Sequence, residues 1–299
     1  FVAIVGRPNV GKSTLINALV GSKIAITSHH PNTTRSAIRG IVHGENFQAV
    51  LVDTPGVHKP KTLLGHRLNA VVDQSMDSVD VVILCIPADE TSGAGDIYIA
   101  QEIAKHPRAK KFAVITKTDL LSKEKLALRL SGIMELAQGF TWDEIIPVSA
   151  AIHDQIDLLN TLIGAALPAG PAYYPEGTTS DQAIEQLICE FIREAALQDV
   201  REELPHSIVV TIDEFGEREE KGSRPFYDVH ATIHVERDTQ RAILLGHQGT
   251  RLKEIGIRAR ADIERALVAK IFLGLHIKVS KEWQRDARML DKLGFEERR

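Results

Sequence analysis

The chain is short of cysteine and of long apolar runs. Only two cysteines occur among its 299 residues. Cys85 and Cys189 lie in separate apolar runs far apart, so we expect two buried thiols in a reducing compartment and neither a disulfide nor a metal pair. No apolar run approaches the roughly 18 residues that a membrane span needs; Val81–Ile86, for example, stops at Pro87. No signal peptide is recognisable, and because the chain starts inside its first predicted strand, we expect a few native residues to precede it.

A large excess of positive charge is also lacking. The chain has 36 Lys and Arg against 40 Asp and Glu, a formal net charge of −4, which argues against generic binding of polyanions but allows a local basic patch. Its 12 histidines show no spacing typical of metal ligands. With 43% hydrophobic and 25% charged residues, the composition is that of one or two ordinary globular domains.

The strongest motif is a phosphate-binding loop, Gly6-Arg-Pro-Asn-Val-Gly-Lys-Ser13. It follows a strand-like run, Phe1–Val5, and precedes a helical pattern, so backbone N–H groups and a helix N-terminus surround an anion. In this motif Lys12 reaches the β- and γ-phosphates, and the Ser13 hydroxyl binds Mg²⁺. We therefore predict a nucleotide site in which Lys12 is also catalytic. Its residues in this loop are Gly6, Asn9, Val10, Gly11, Lys12, Ser13 and Thr14.

Three further polar segments each follow a strand-like run. They are Asp53-Thr-Pro-Gly56, Thr116-Lys-Thr-Asp119 and Ser149-Ala-Ala151. A carboxylate at the carboxyl end of a parallel strand, such as Asp53, is where a second Mg²⁺ contact is expected. Asp119 can accept two hydrogen bonds from guanine N1–H and N2–H₂, a donor pair that adenine lacks. Such a bidentate contact discriminates by about 1–3 kcal/mol, so the segments predict a guanine nucleotide.

The order and spacing of these segments resemble the translation-factor class of P-loop GTPases. The resemblance implies a switch loop at Asn32-Thr-Thr-Arg35, with Thr34 as a Mg²⁺ ligand and catalytic residue, and a catalytic role for Gly56. It also implies contacts to the base from Thr116, Lys117, Asp119, Ser149, Ala150 and Ala151. The class has Asn where this chain has Thr116. A hydroxyl can make only part of the Asn network, so we expect lower guanine affinity while Asp119 keeps the specificity.

Val57 follows Gly56 at the position where the Ras class carries a water-orienting Gln. Val57 cannot polarise water, so we expect intrinsic hydrolysis no faster than the roughly 10⁻⁴ s⁻¹ of unassisted Ras, unless a partner or K⁺ assists. Arg35 is a weaker candidate for assistance in cis. We expect GTP to order the segments around Thr33–Thr34 and after Gly56, and hydrolysis to release both.

The first half predicts a doubly wound, mostly parallel α/β sheet with one antiparallel edge, because strand-like and helix-like segments alternate. Candidate strands are Phe1–Val5, Ala37–His43, Phe47–Val52, Val79–Ile86, Phe112–Thr116 and Ile145–Ser149. Candidate helices are Lys12–Val20, Leu63–Met76, Asp96–Lys105, Glu124–Ala137 and Gln155–Ala166. The second and third strands are joined at Gly44-Glu-Asn46 as in a hairpin, which makes the antiparallel edge.

Proline and glycine after residue 167 exclude a continuing helix or strand. We therefore expect a GTP-binding domain over 1–167, a linker over 168–180 and a second domain over 181–299. Thr179-Ser-Asp-Gln182 offers a capping box for a helix whose apolar face starts at Ile184 and which ends near Leu204-Pro205. The second domain is predicted in the order α-β-β-α-α-β. After the first helix its segments are Ser207–Asp213, Phe226–Glu236, Thr239–Leu245, Thr250–Val268 and Leu275–Val279, with a last helix over Trp283–Leu293.

A Gly-x-x-Gly loop, Gly246-His-Gln-Gly249, lies between two of these helices, where missing side chains let a nucleic-acid backbone approach closely. From Arg237 to Lys281 the chain has ten Lys and Arg against four Asp and Glu, a basic island in an acidic chain. The loop and the element order resemble the bacterial, type II K-homology RNA-binding domain, an α+β fold. The resemblance implies RNA contacts from Gly246, His247, Gln248, Gly249, Arg251 and Lys253.

The predicted RNA site differs from the usual K-homology pattern in its loop and has aromatic residues whose role is open. Basic residues are common at the middle loop positions of K-homology domains, whereas this chain has His247 and Gln248, so we expect affinity for the RNA backbone to depend more on Arg251 and Lys253. Three aromatic residues are candidates for stacking on bases, with core packing the favoured alternative for each. They are Phe226, Tyr227 and Trp283.

The two domains in this order, with Thr-Thr-Arg in the first switch, resemble the bacterial Era family of GTPases over nearly the whole chain. The resemblance implies binding to the 3′-terminal region of small-subunit ribosomal RNA during maturation of the small ribosomal subunit. It implies GTP or GDP and Mg²⁺ as cofactors, with K⁺ as an optional further ion. It also implies a monomer without DNA binding, in the cytoplasm and peripherally associated with the inner membrane.

Three alternatives stay open on the residues alone. One is a P-loop kinase or ATPase, which the identity of the base contact at Asp119 would separate from a GTPase. Another is a GTPase whose C-terminal domain binds a protein or a membrane instead of RNA. The third, which we favour least, is DNA binding through the same C-terminal fold.

Overall fold

The computed structural model describes residues 1–27, 38–56, 62–77, 79–137, 139–198, 200, 207–218, 224–293 and 295. The chain divides into two compact units. One comprises residues 1–61 and 65–181, and the other comprises 62–64 and 182–299. Each unit contains one of the two sheets found in the described residues.

The first unit has a six-stranded sheet. Its strands are β1 (Val2–Val5), β2 (Ile38–His43), β3 (Gln48–Asp53), β4 (Val81–Pro87), β5 (Lys110–Thr116) and β6 (Glu144–Pro147). They are ordered β2-β3-β1-β4-β5-β6. Neighbouring strands are parallel except for β2 and β3, which are antiparallel at one edge. The predicted, mostly parallel sheet with one antiparallel edge is confirmed.

Helices cover both faces of this sheet. They are α1 (Lys12–Val20), α2 (Leu63–Met76), α3 (Ala94–Ala104), α4 (Lys123–Met134) and α5 (Ile156–Ala166). Leu15 of α1 and Ile163 of α5 belong to the core on one face. Met76 of α2, Ile103 of α3 and Ile133 of α4 belong to the core on the other. Because neither face meets water, the central strands are apolar throughout, and all seven residues of β4 are buried.

Part of the predicted linker lies along the edge strand β2. We call residues 173–181 the strap. The Thr179 carbonyl accepts a hydrogen bond from the Ile41 N–H at 2.9 Å, and Ser180 pairs with Gly40. The capping box predicted at Thr179–Gln182 is therefore wrong, because its first two residues pair with β2, where they cover unpaired groups of an edge strand.

The second unit has a three-stranded sheet in the order β7-β8-β9, formed by Val209–Arg218, Phe226–Val235 and Lys270–Val279. β7 and β8 are antiparallel, and β8 and β9 are parallel. Its helices are α6 (Ile184–Leu197), α7 (Asp238–Leu245), α8 (Thr250–Leu267) and α9 (Ala287–Lys292). Buried residues of α6 and α8, such as Phe191 and Ile263, form the core of the unit. The predicted order α-β-β-α-α-β is confirmed.

Several bounds differ from the predicted ones. β9 begins at Lys270, five residues earlier than predicted, because it pairs with β8 along that strand's whole length. The last helix begins at Ala287, not at Trp283, because the Asp286 side chain caps it by accepting from two backbone N–H groups. The predicted end of the first helix at Leu204-Pro205 lies outside the described residues; α6 ends at Leu197.

The two cysteines differ in burial. Cys85 in β4 is buried, as expected, whereas Cys189 in α6 is only partly buried. Burial raises the pKa of each thiol to about 12, so both are protonated at neutral pH. Within the described ranges, no helix has both the length and the apolar character that crossing a membrane requires.

Candidate active site and nucleic-acid interface

The phosphate loop joins β1 to α1 through backbone conformations that favour glycine. Gly6 has φ +153°, and a Cβ there would lie 2.7 Å from the carbonyl oxygen of Cys85. Gly11, at the N-cap of α1, has φ +95°, and Asn9 has φ +64°. Side chains are disfavoured at such φ values, Asn less than most. The loop is therefore built to turn sharply beside β4 and to present the α1 N-terminus.

Lys12 is the buried cation of this loop. Its side chain is 6% exposed, and Nζ donates hydrogen bonds to the carbonyl oxygens of Gly6 at 3.1 Å and Arg7 at 2.9 Å. Burial lowers the pKa of Lys12, and the nearby Asp53 charge opposes that effect. A phosphate bound at the loop would stabilise the charged form of Lys12 further, and this charged form is the one that attracts phosphate.

Ser13 and Asp53 lie together at the start of α1 and the end of β3. Ser13 Oγ donates to Asp53 Oδ2 at 2.8 Å, and Asp53 is fully buried. A hydroxyl and a carboxylate are oxygen ligands of the kind Mg²⁺ takes, with phosphate oxygens and waters completing its shell. The residues present thus fit a Mg²⁺ ion. The next residue, Thr54, anchors the segment by donating to the Ile4 carbonyl at 2.7 Å.

The switch residues are only partly described. Gly56 closely passes the phosphate loop, because a Cβ there would lie 2.7 Å from the backbone nitrogen of Pro8. Thr14, the last predicted loop residue, is exposed in the first turn of α1. The other predicted switch residues lie outside the described residues, namely Asn32, Thr33, Thr34, Arg35 and Val57.

Thr116 connects the phosphate loop to the predicted base-binding segment. Its Oγ1 donates to the Val10 carbonyl oxygen at 2.5 Å, across 106 positions of sequence. Val10 itself is buried. The hydroxyl therefore supplies the link to the phosphate loop that the class assigns to an Asn side chain. This is the part of the Asn network that a hydroxyl can make.

Asp119 and Ser149 form the base end of the site. Asp119 lies in a 3₁₀ turn, Thr118–Leu120, and one of its carboxylate oxygens accepts from Ser149 Oγ at 2.5 Å. Asp154, which the sequence did not indicate, fixes this loop by exchanging two backbone hydrogen bonds with Ser149 at 3.1 and 2.8 Å. Ala150 and Ala151 follow in the same turn. The Ser149 hydroxyl thus orients the carboxylate that is predicted to read guanine.

Lys117 precedes this turn with φ +58°, and its Nζ lies 3.9 Å from Asp89 Oδ1. The described nucleotide residues all lie at or just after the carboxyl ends of β1, β3, β5 and β6, which are parallel. Ligands of such sheets bind at that edge. Apart from the switch residues outside the described ranges, the structure brings the predicted nucleotide residues to one edge.

The Gly-x-x-Gly loop of the second unit is a tight turn between α7 and α8. Gly246, Gln248 and Gly249 have φ of +70°, +50° and +79°. His247 and Gln248 are exposed, and a Cβ on Gly246 would lie 2.7 Å from Arg251 Cβ. The turn therefore presents bare backbone and two polar side chains to solvent.

Arg251 and Lys253 differ in their surroundings. Arg251 Nη2 donates to the Gln198 carbonyl at the C-terminus of α6 at 2.9 Å, and Arg258 Nη1 donates to Gln198 Oε1 at 3.0 Å. Lys253 is exposed on α8. One guanidinium nitrogen of Arg251 is thus engaged within the unit, whereas Lys253 stands at the surface.

The three aromatic candidates pack against neighbours within the second unit. Tyr227 stacks on Phe215 with ring centroids 5.3 Å apart, and the Arg218 guanidinium lies 5.2 Å over Phe226. Trp283 is fully buried, and its indole N–H donates to the Ser207 carbonyl at 3.0 Å. Core packing is the correct alternative for Trp283.

Comparison with protein families and known proteins agrees with both parts of the chain. A family model described as "50S ribosome-binding GTPase" matches residues 1–117, and one described as "KH domain" matches residues 203–284. "GTPase Era" of Nocardioides sp. is 52% identical over 298 residues, covering 99% of this chain and 95% of that protein. "GTPase Era" of Mycobacterium tuberculosis is 53% identical over 297 residues, covering 99% and 98%.

Two solved structures are similar over nearly the whole chain. One is Era in complex with MgGDPNP and nucleotides 1506–1542 of 16S ribosomal RNA, with a TM-score of 0.92 and 34% identity, covering 99% of this chain and 98% of that one. The other is a variant of Aquifex aeolicus Era bound to GDP.AlF4⁻, with a TM-score of 0.91, 34% identity and the same coverage.

Proposed function

The chain belongs to the Era family of GTPases, and from that premise we propose that it is a GTP-hydrolysing switch that binds the 3′-terminal region of small-subunit ribosomal RNA in assembly of the small ribosomal subunit. Residues 1–167 form the GTP-binding domain, 168–180 the linker and 181–299 the RNA-binding domain. One observation carries the proposal. The same chain contains a phosphate loop, with buried Lys12 and a hydrogen bond from Ser13 to Asp53, and an exposed Gly-x-x-Gly turn.

The phosphate end of the site binds GTP or GDP. Backbone N–H groups at the start of α1 face the phosphates, and Lys12, held by two loop carbonyls, adds positive charge at the β- and γ-phosphates. Ser13 and Asp53 would hold Mg²⁺ together with Thr34 of the switch, and Gly56 would face the γ-phosphate. When bound, the ion neutralises charge on the phosphate oxygens. The related Era structure with MgGDPNP supports this assignment.

Intrinsic hydrolysis is slow on this proposal. Val57 replaces a side chain that could orient water, so the chain's own contribution is to bind and orient the phosphates and to supply the charge of Lys12. A partner on the ribosome, or K⁺ at the phosphate loop, would complete the site. The switch segments around Thr34 and after Gly56 then order with GTP and are released after hydrolysis.

The base end selects guanine through Asp119, with Thr116, Lys117, Ser149, Ala150 and Ala151 around it. We expect Asp119→Asn to lower affinity for GTP at least about tenfold and to shift preference toward xanthine nucleotides, because the amide reverses one hydrogen-bonding direction. Calorimetry with GTP and XTP measures both. Asp157→Asn is the matched control, since Asp157 is 94% exposed in the first turn of α5. Unchanged GTP preference in Asp119→Asn would remove the base assignment.

The second domain binds single-stranded ribosomal RNA at the turn formed by Gly246, His247, Gln248 and Gly249, with Lys253 and Arg251 beside it. The excess of Lys and Arg over residues 237–281 and the RNA in the related Era complex support this. Bare backbone at the turn permits close approach of the nucleic-acid backbone, and neighbouring cations attract its phosphates.

Two acidic residues in this turn should prevent RNA binding. We expect His247→Asp with Gln248→Asp to abolish retention of a transcript of the 16S 3′ end, because both charges repel phosphates, while GTP hydrolysis is unchanged. Ser131→Asp with Gln186→Asp adds the same charge at exposed positions outside residues 237–281 and should retain the RNA. Retention by the loop variant would favour a protein or membrane partner instead. Competition between RNA and DNA of the same sequence tests discrimination against DNA.

We also propose that the protein is a monomer in the cytoplasm with loose, peripheral association with the inner membrane. Membership of the family is the support for this location. Fractionation of cells with and without a high-salt wash measures it, because salt releases proteins held at a membrane by charge. Protein found only in the unwashed soluble fraction would remove the membrane association.

A further inference from the structure

Arg7, the second residue of the phosphate loop, is held by two carboxylates, Glu90 between β4 and α3 and Asp96 in the first turn of α3. Its Nε donates to Asp96 Oδ1 at 2.9 Å, and its Nη2 donates to Glu90 Oε2 at 2.9 Å. The Asp96 side chain is 0% exposed, whereas that of Glu90 is 49% exposed. The contact with Asp96 is therefore shielded from water, and the contact with Glu90 is not.

The first turn of α3 is shaped to receive this arginine. The second carboxylate oxygen of Asp96 accepts a hydrogen bond from the Gly93 N–H at 2.9 Å, which fixes the carboxylate without help from Arg7. A Cβ on Gly95 would lie 2.8 Å from Arg7 Cδ and 3.2 Å from Cγ. Any larger residue at position 95 would displace the arginine's stem.

The surrounding charges keep Arg7 charged. Burial opposes the charge of Arg7, but the bonds to Asp96 and Glu90 outweigh burial and raise the pKa of its guanidinium. Arg129 of α4 is a second cation near the same carboxylates, and burial lowers the pKa of its guanidinium. Its Nη2 donates to the Pro87 carbonyl at 3.4 Å, whereas Arg7 donates to both carboxylates at 2.9 Å.

Arg7 also contacts Lys12 through its backbone. The carbonyl oxygen of Arg7 accepts a hydrogen bond from Lys12 Nζ at 2.9 Å, beside the 3.1 Å bond from Lys12 to Gly6. The side chain of Arg7 is fixed on α3 while its peptide carbonyl holds the ammonium. Movement of this one residue would therefore move the cation predicted to contact the phosphates.

We propose that Arg7 is a positioning residue of the phosphate loop, whose ion pair with buried Asp96 holds the loop in the conformation that directs Lys12 to the nucleotide. The inference rests on the proposed nucleotide site and adds a residue outside its set of phosphate, base and metal contacts. Because the contact with α3 preorganises the loop, its loss should weaken nucleotide binding, although no group that contacts the phosphates is removed.

Release of a fluorescent GDP analogue from the full-length protein tests this. We expect Arg7→Gln and Asp96→Asn each to accelerate release about tenfold. The double variant should release no faster than the faster single variant, because both changes remove the same ion pair. Glu90→Gln, which removes the negative charge from the exposed contact, should change release by less than about twofold. Arg7→Lys should lie between wild type and Arg7→Gln, because an ammonium keeps the charge but cannot bond both carboxylates in the same way.

Lys105→Gln is the matched control, since it breaks an exposed pair with Glu102 at the other end of α3 and should release GDP as wild type does. Thermal unfolding of the nucleotide-free variants is measured in parallel. Release within about twofold of wild type in both Arg7→Gln and Asp96→Asn, even with a lower Tm, would mean that the pair is only structural and would overturn the proposal. Failure of the wild-type protein to bind GDP would instead overturn the proposed function.

Discussion

At residue 116 the chain has a hydroxyl where its class has an amide, and the structure shows which part of the contact survives. Thr116 Oγ1 donates to the Val10 carbonyl at 2.5 Å and lies 3.4 Å from the Ile86 carbonyl. A hydroxyl has one proton, so the shorter contact to the phosphate loop is the one it makes. The residue is only 4% exposed, so the bond is made in a dry environment, where an unpaired acceptor is costly.

Replacing this hydroxyl isolates its contribution. We expect Thr116→Val to weaken GDP binding about fivefold to tenfold, because Val keeps the shape but leaves the buried Val10 carbonyl without its donor, a loss of about 1–1.5 kcal/mol. Calorimetry with GDP measures it. Thr161→Val removes an exposed hydroxyl that bonds the Asp157 carbonyl within α5 and serves as the control. Equal affinity in wild type and Thr116→Val would contradict a role for the bond in binding.

Thr116→Asn tests the expectation that Thr in place of Asn lowers the affinity for guanine nucleotides. If the missing amide contact to guanine lowers affinity, restoring Asn should tighten GDP binding about threefold or more. The side chain is longer than Thr in a tightly packed setting, so the same samples are checked for Tm. Weaker binding at an unchanged Tm would mean that the surrounding site is adapted to Thr.

At the scale of elements, the Gly-x-x-Gly turn contains two glycines that are required for different reasons. Both have positive φ, +70° at Gly246 and +79° at Gly249. A Cβ on Gly246 would also lie 2.7 Å from Arg251 Cβ and 3.0 Å from its backbone nitrogen, whereas nothing lies within 4 Å of one on Gly249. Gly246 therefore combines conformational strain with a clash, and Gly249 has strain alone.

The two glycines should differ in their cost to stability. We expect Gly249→Ala to lower the free energy of unfolding of the second unit by about 1 kcal/mol through strain alone. Gly246→Ala should cost about 2–3 kcal/mol, because the backbone at Arg251 must also move. Urea denaturation followed by circular dichroism measures both. Gly216→Ala, with no atoms within 4 Å and no positive φ, is the control. A reversed order of the two losses would show that the turn relaxes freely.

The strap is held to β2 and β3 by side chains as well as to β2 by backbone pairing. Asp181 accepts from the Tyr174 hydroxyl at 2.7 Å and from Arg39 Nη1 at 3.1 Å. Gln48 bonds the backbone of Tyr173 and Tyr174 through both atoms of its amide. A segment rich in proline and glycine can therefore be ordered by contacts with an edge strand, although it forms no helix or strand of its own.

Loosening the strap should expose it to proteases. We expect Asp181→Ala to increase chymotryptic cleavage after Tyr173 about threefold to fivefold, because local opening becomes easier when two bonds to Asp181 are lost; the bond after Tyr174 precedes Pro175 and is not a chymotrypsin site. Mass spectrometry of the fragments measures it, with Asp157→Ala, whose side chain is 94% exposed, as a control outside the strap. Since Asp181 is partly exposed, global unfolding by urea should change little. A cleavage rate equal to wild type would mean that backbone pairing alone holds the segment.

The features that the sequence predicted well depend on short stretches of chain. Apolar runs marked the strands, and the bounds of α1 and α2 agree with the predicted ones. The phosphate loop could be predicted for the same reason, because all of its motif residues lie in one short stretch, Gly6–Ser13. The features that could not be predicted from the sequence depend on contacts between distant residues. Ser180 pairs with Gly40, Arg251 bonds Gln198, and Arg7 meets Asp96 across 89 positions. Thr179 and Ser180 pair with β2, some 140 positions away, instead of capping α6, because tertiary contacts outweigh a weak local preference.

At the scale of the whole molecule, a switch requires a free-energy coupling between two sites. The proposed nucleotide and RNA sites belong to separate compact units, each with its own core, so neither site needs the other in order to form. The nucleotide can act on RNA binding only if RNA prefers one nucleotide state of the chain over the other. Coupling by this route is reciprocal, because the same free energy appears in both binding reactions.

This reciprocity gives the sharpest test of the chain as a switch. We expect affinity for the 16S 3′-end transcript to differ about fivefold or more between the GDP form and the form with a non-hydrolysable GTP analogue. The transcript should then change the ratio of the affinities for these two nucleotides by the same factor. The variant His247→Asp with Gln248→Asp should remove the effect of RNA on nucleotide binding while leaving nucleotide binding itself intact. Equal RNA affinity in the two nucleotide states, with both ligands bound, would make the protein a GTPase and an RNA binder whose two activities are independent. Unequal factors in the two directions would mean that a third equilibrium, such as self-association, contributes to one of the measurements.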